Sequence, residues 1–316
     1  MQKVLFALLA AALATPAVAA DTTVAVTAIV EHPALDATRD GVKDGLAKAG
    51  FVDGDTIEFV YESAQGQPAT AAQIARQFVG DEAAVIVPIS TPSAQAAAAA
   101  TKDIPIVFTA VTDPLAAQLV TSLDNPGGNV TGVSDLTPIK EHIDLIKEIT
   151  PNVANLGIIY NPGEPNSVSL VKLVKEFAGP AGLTVVESPA TKSADAQQAA
   201  RSLVGRVDAI YVPTDNTVVS ALEAVIAVAE ENDIPLYAGD TDSVNRGAIA
   251  SVGFDYYDVG LQTAELVARV LNGENPGDIS VVFASGSDLF VNPGAAEKMG
   301  VTIPEGVISR AHTVVE

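Results

Sequence analysis

The amino-acid sequence predicts an α/β protein built from two similar doubly wound parallel-sheet lobes joined by a hinge. Two observations carry this expectation. Strand-like apolar runs alternate with helical stretches along the chain, and the second set of runs repeats the first at a nearly constant offset. The runs are Val24–Val30, Ile57–Tyr61, Ala84–Ile89 and Ile104–Thr109, then Leu156–Tyr160, Leu183–Glu187, Ala209–Val212 and Ile234–Ala238. They are almost continuous in apolar residues, as strands covered on both faces are. Between them lie helical stretches at Leu35–Ala49, Thr70–Phe78, Ser93–Thr101, Ser167–Phe177 and Val218–Asn232.

The repeat is visible at its punctuation. Pro33 and Pro165 introduce matched helices that close at Ala49-Gly50 and Ala181-Gly182, and both pairs stand 132 residues apart. Pro88 and Pro213 end matched strands at an offset of 125, and Pro105 and Pro235 precede matched strands at an offset of 130. Loop insertions and deletions account for that drift. Turn formers near Asn125–Gly128 and the segment Asp135–Pro138 suggest a first passage between lobes, with a second around Ala248–Phe254. The expected division is a segment 1–20, a first lobe of 21–137 plus about 249–284, and a second lobe of about 138–248 plus 285–316.

Residues 1–20 carry one lysine, an apolar run from Val4 to Ala14 and small residues before Asp21. That pattern reads as a secretory signal peptide cleaved near Ala20, and its apolar run falls short of the roughly 20 residues needed to span a bilayer. Export to the periplasm is the expectation. The chain has no cysteine, so neither a lipid anchor at the cleavage site nor a disulfide is expected. The net charge of −22 disfavours nucleic acid and anionic membrane as partners.

An enzyme is not expected. There are three histidines, His32, His142 and His312, and no cysteine, so nucleophile–base pairs are scarce. No Gly-x-Gly, phosphate loop or Gly-x-Ser-x-Gly occurs, which removes the common nucleotide and hydrolase signatures. The carboxylates show no calcium-loop spacing and soft ligands are lacking, so neither cofactor nor metal is expected. His142, within the helical stretch Glu141–Ile149, is read as part of a solvated face, and Tyr160, Tyr211 and Tyr237 as core or cleft-lining rings.

Ligands of parallel α/β sheets bind beyond the carboxyl ends of the strands, so the loops after matched strands are the candidate site. In the first half these are Glu31-His32, Ser90-Thr91 with Gln95, and Thr109; in the second, Asn166-Ser167, Thr214-Asp215-Asn216, and Asp240. Ser90 or Thr91 followed by Pro92 can open a helix, whose N-terminus is a ready carboxylate cradle. The matched loop instead carries Asp215. One donor-rich lobe facing one acidic lobe suits an amino acid, its carboxylate on Ser90, Thr91 and Thr109 and its ammonium on Asp215 and Asp240. Each of these residues can equally serve only its own helix cap or turn.

The stretches Glu31–Asp36, Ser90–Gln95, Phe108–Pro114, Asn161–Ser167, Pro213–Asn216 and Val252–Tyr257 together resemble, in order over the whole mature chain, one family of ABC-transporter substrate-binding proteins. The resemblance implies a type I periplasmic binding protein fold and a small amino-acid-like ligand, since some members bind aromatic amino acids. It also implies an ABC permease and its ATPase as partners, and a site shared by the Ser90-Thr91 loop with the Asn166-Ser167 and Asp215-Asn216 loops. Here there is no lipid-anchor cysteine and no tryptophan. A periplasmic sensor or chemoreceptor ligand-binding protein, and a sugar or nucleoside binder of the same fold, remain the alternatives.

Overall fold

The computed structural model describes residues 22–315; the expected signal segment lies outside them. The chain opens with β1 (Thr23–Ala28), α1 (Pro33–Lys48), β2 (Glu58–Ser63), α2 (Pro68–Gly80), β3 (Val85–Ile89), α3 (Thr91–Ala100), β4 (Ile106–Phe108) and β5 (Val130–Ser134). It passes to a second sheet through α4 (Ile139–Ile149), β6 (Asn155–Tyr160), α5 (Pro165–Ala178), β7 (Thr184–Pro189), α6 (Ala196–Leu203), β8 (Ala209–Val212), α7 (Asn216–Val219), α8 (Leu222–Glu231), β9 (Leu236–Ala238), α9 (Asp242–Asn245) and β10 (Ala250–Gly253). The remainder is α10 (Tyr256–Leu271), β11 (Val282–Phe283), β12 (Asp288–Val291), α11 (Pro293–Lys298), α12 (Glu305–Ile308) and β13 (Thr313–Val314).

The first sheet is parallel with order β11-β5-β4-β3-β1-β2. The second, β7-β6-β8-β9, repeats the β2-β1-β3-β4 order of the first. The duplication expected from sequence is therefore a duplication of topology. Its matched helix ends are alike too: Gly50 and Gly182 take left-handed φ values of 92° and 78°, a conformation that favours glycine because it has no Cβ.

Each sheet has its own core. Residues 24–133 and 254–281 supply one, and residues 139–250 and 289–307 the other. β10 pairs antiparallel with β12, and the Ile249 amide donates to Leu236 O at 2.8 Å. β10, β12 and β13 form a small third sheet whose buried residues Ala250, Leu289 and Val291 pack in the second core, so the chain stays with the second lobe past residue 249 and rejoins the first core at Phe254. The helix expected over Val218–Asn232 is two, α7 and α8, broken at Ser220-Ala221 where Ala221 leaves helical geometry at φ −123° and ψ 26°.

His142 is buried, not solvated. Ile139, His142, Ile143, Ile146 and Ile149 form one stripe of α4 that faces the core, as three- and four-residue spacing requires. Its Nε2 donates to Val252 O at 2.6 Å, so its Nδ1 accepts from the Tyr211 hydroxyl at 2.8 Å. Burial pushes its pKa down to about 4, which keeps the imidazole neutral. Tyr211 and Tyr237 are core residues, whereas the half-buried Tyr160 donates to Glu187 at 2.6 Å.

Candidate functional site

Between the lobes lies a narrow cavity of about 20 Å³. The first lobe lines it with His32, Ala34, Leu35, Ala110, Thr112, Asp135 and Tyr256, and the second with Asn166, Thr214, Asn216, Val219 and Asp240. Most of these residues follow the carboxyl ends of β1, β4, β5, β6, β8 and β9. The topology therefore gathers loops that are far apart in sequence onto one cleft, as parallel α/β sheets do.

Two carboxyl groups reach this cavity from opposite lobes. Asp135 accepts from Thr112 Oγ1 at 3.0 Å and from the Tyr256 hydroxyl at 2.9 Å. Asp240 accepts from the amide of Ser243 at 2.8 Å and from its hydroxyl at 2.7 Å. Burial raises both pKa values, and the charge of Asp240 adds to the rise at Asp135. Neither lysine nor arginine lines the cavity. The site is thus a desolvated, acidic enclosure that favours a cation.

The two lobes treat their helix N-termini differently. In the second, Asp215 caps α7 through the Val218 amide at 2.8 Å, while Glu164 accepts from the amides of Asn216 and Thr217 at 3.2 and 3.1 Å. In the first, Ser90 stands at the α3 N-cap, yet its side chain makes no capping bond. Its φ of 77° with ψ of 159° lies where side chains are strained. The hydroxyls of Ser90, Thr91 and Ser93 are all buried without a partner. An N-terminus so equipped attracts an anion.

Of the residues singled out in the sequence, His32, Asn166, Thr214, Asn216 and Asp240 line the cavity. Ser90 and Thr91 are buried at the mouth of α3, which packs against α5 of the other lobe. The others have different duties. Glu31 is exposed, and Gln95 donates to Ala117 O at 3.1 Å. Thr109 pairs in the core with the Thr263 hydroxyl at 2.8 Å. Ser167 donates to Asp215 at 2.6 Å, and the Asn161 amide donates to the same Asp215 oxygen at 2.6 Å.

Asp215 consequently does not reach the cavity. Its carboxylate is fully enclosed, lies outside the cavity lining and already accepts three hydrogen bonds. Burial and the neighbouring Glu164 push its pKa up to about 7. Asp215→Asn would present an amide N–H₂ to donors, so it should destabilise the fold by about 1–3 kcal/mol. The measurement is a thermal melt beside a titration. Loss of affinity confined to ligands bearing an amine, without loss of stability, would restore Asp215 to the site.

Asp135, Thr112 and Tyr256 escaped the sequence reading. Asp135 and Tyr256 sit where the chain passes between sheets, outside the matched strand-end loops. Thr112 lies only three residues beyond Thr109, in a loop already singled out, and Ala110 (φ 52°) turns the chain there.

The family model described as "ABC transporter substrate binding protein" matches residues 23–315. A "Tyrosine-binding protein" of Clostridioides difficile is 44% identical over 85% of this chain and 78% of its own length. A Streptococcus pneumoniae protein solved in complex with L-Trp superposes with a TM-score of 0.90 at 37% identity, over 93% of this chain and 99% of that one. A ligand-free, open substrate binding protein with adhesive properties from Clostridium difficile, 41% identical over the same shares, gives only 0.69. At comparable identity, the chain superposes more closely on the complex than on the open form. Proteins of this kind bind solutes rather than convert them, which agrees with the poverty of nucleophile–base pairs. On the match over nearly its whole length, the type I periplasmic binding protein architecture and the interlobe cavity, the chain belongs to the ABC transporter substrate binding protein family.

Proposed function

We propose that this protein is the exported, periplasmic binding component of an ABC importer and closes on an aromatic amino acid in the interlobe cavity. The observation that carries the proposal is the complementarity of the cleft. Asp135 and Asp240 reach the cavity from opposite lobes, and Arg246, whose charge is felt at Asp240, is already paired with Glu223 and does not line it, so the two acids suit an ammonium. Outside the cavity lining but facing α5 of the other lobe, the uncapped N-terminus of α3, with the unpartnered hydroxyls of Ser90 and Thr91, suits a carboxylate. Once the lobes part to admit a ligand, Ala34, Leu35, Val219 and Tyr256 supply apolar walls for a side chain. The tyrosine-binding and tryptophan-bound relatives support an aromatic one. No helix among the described residues is long and apolar enough to cross a membrane, in keeping with a permease supplied by other chains.

Charge-assisted hydrogen bonds contribute about 1.5–3 kcal/mol each, and micromolar binding requires about 8 kcal/mol. Two acids, a helix N-terminus worth about 0.3–2 kcal/mol to a carboxylate and burial of a ring reach that sum together, whereas no one loop does. Isothermal calorimetry with tyrosine and tryptophan should give micromolar or tighter binding. An analogue lacking the amine should bind far more weakly. Failure of every amino acid to bind, with a sugar or nucleoside binding instead, would overturn the proposal.

Affinity should also fall as the pH falls. A bound ammonium favours the ionised carboxylates, while burial raises their pKa in the free protein. Binding therefore releases protons, and affinity climbs with pH until both acids are ionised without ligand. Titrations at about pH 5 and about pH 7.5, in buffers of different ionisation heat, measure both the trend and the protons released. Uptake of protons on binding would contradict the assignment.

A further inference from the structure

His32 lines the cavity beside Ala34 and Leu35. Its backbone is extended at the N-cap of α1 (φ −162°, ψ 161°), and its side chain makes no capping bond. The next residue is Pro33, which has no amide hydrogen to satisfy. The imidazole is thus free of any helix duty. Its Nδ1 is buried without a partner. Burial and the nearby Arg246 push its pKa down to about 3, so the ring is neutral, with one nitrogen able to accept. Ala34 and Leu35, which follow it on α1, are apolar cavity walls. A polar nitrogen set beside an apolar wall has no reason to stay unpaired in a site that excludes water on closing.

We infer that His32 reads a hydrogen-bond donor on the ligand's ring, so that the site selects tyrosine, by its phenol, or tryptophan, by its indole N–H, over phenylalanine. This rests on the aromatic amino acid reading above and deepens it. Phenylalanine would fill the same apolar space but leave Nδ1 buried and orphaned. A pocket that merely loses or gains a methylene discriminates weakly, whereas one built to hydrogen-bond a ligand group strongly rejects the analogue without it.

The test is a cycle of four titrations: tyrosine and phenylalanine against the wild type and His32→Leu. The wild type should bind tyrosine about ten- to a hundred-fold more tightly than phenylalanine. In His32→Leu the two affinities should converge, through loss of tyrosine binding with phenylalanine binding kept or improved. His32→Asn, which retains an acceptor near the Nδ1 position, should keep part of the preference. Wild-type binding of both amino acids with equal affinity would overturn this inference and leave the proposed function standing. So would a His32→Leu variant that weakens both ligands equally, which would make His32 a contact to their shared amino-acid moiety. Binding of neither by the wild type would overturn both. Retention of the wild-type phenylalanine affinity shows that His32→Leu is folded.

Discussion

Asp240→Asn should weaken tyrosine binding about ten- to a hundred-fold, the loss of one charge-assisted bond of about 1.5–3 kcal/mol. The substitution is nearly isosteric, and its local bonds survive. The Asn carbonyl can still accept from the Ser243 amide, and the Ser243 hydroxyl, which donates to Asp240 in the native protein, can rotate to accept from the new N–H₂. Asp135→Asn should behave alike, because both of its partners, Thr112 and Tyr256, are hydroxyls that can reverse. The free protein should meanwhile gain stability at neutral pH. Each buried acid has a raised pKa, so its ionisation costs stability as pH rises through the folded-state value, and either substitution removes that cost. Affinity and stability should therefore move in opposite directions, a signature that ordinary damage to the fold does not produce. Thermal melts without ligand and calorimetry with tyrosine measure the two. Equal affinity in wild type and both variants would remove the acids from the site.

Gly260→Ala should lower the melting temperature of the first lobe by about 5–10 °C, from an overpacking penalty of about 1–3 kcal/mol or more. Helices α1 and α10 pack closely where Gly41 meets Gly260. A Cβ on Gly260 would collide with the backbone oxygen of Thr38 and stand 2.8 Å from the Cα of Gly41. Backbone cannot swing aside as a side-chain tip can, so the helices must separate. The consequence reaches the cavity, because α1 follows His32 and carries Ala34 and Leu35 while α10 begins with Tyr256. Saturating ligand should recover part of the loss by mass action, since only the folded protein binds it. A melting temperature unchanged within a degree or so would mean that the two helices tolerate separation.

The architecture and the neighbourhood of the site are legible in the order of residues alone. Continuous apolar runs can be buried only between helices, and matched prolines and glycines such as Pro33 with Pro165 and Gly50 with Gly182 mark equivalent chain turns in each half. Both are local properties, written in consecutive residues. Because parallel strands present their carboxyl-end loops to one cleft, the loops holding His32, Asn166, Thr214, Asn216 and Asp240 could be named from strand positions alone.

The direction in which each polar side chain points was decided only by tertiary structure. Asp215 and Asp240 follow neighbouring parallel strands and look equivalent in sequence. Asp215 is nevertheless claimed by Ser167 and Asn161, which arrive from 48 and 54 positions away, whereas Asp240 bonds only to its own loop and keeps a face for the cavity. His142 shares the apolar stripe of α4, yet its polarity reads as surface until Tyr211 and Val252 meet it from distant strands. Asp135 enters the site because the passage between lobes runs along the cleft, a property of how the two sheets face each other. In each case the deciding partner is remote in sequence. A hydrogen bond or a desolvated charge takes its energy from groups a few ångströms away, and only the folded chain brings those groups together.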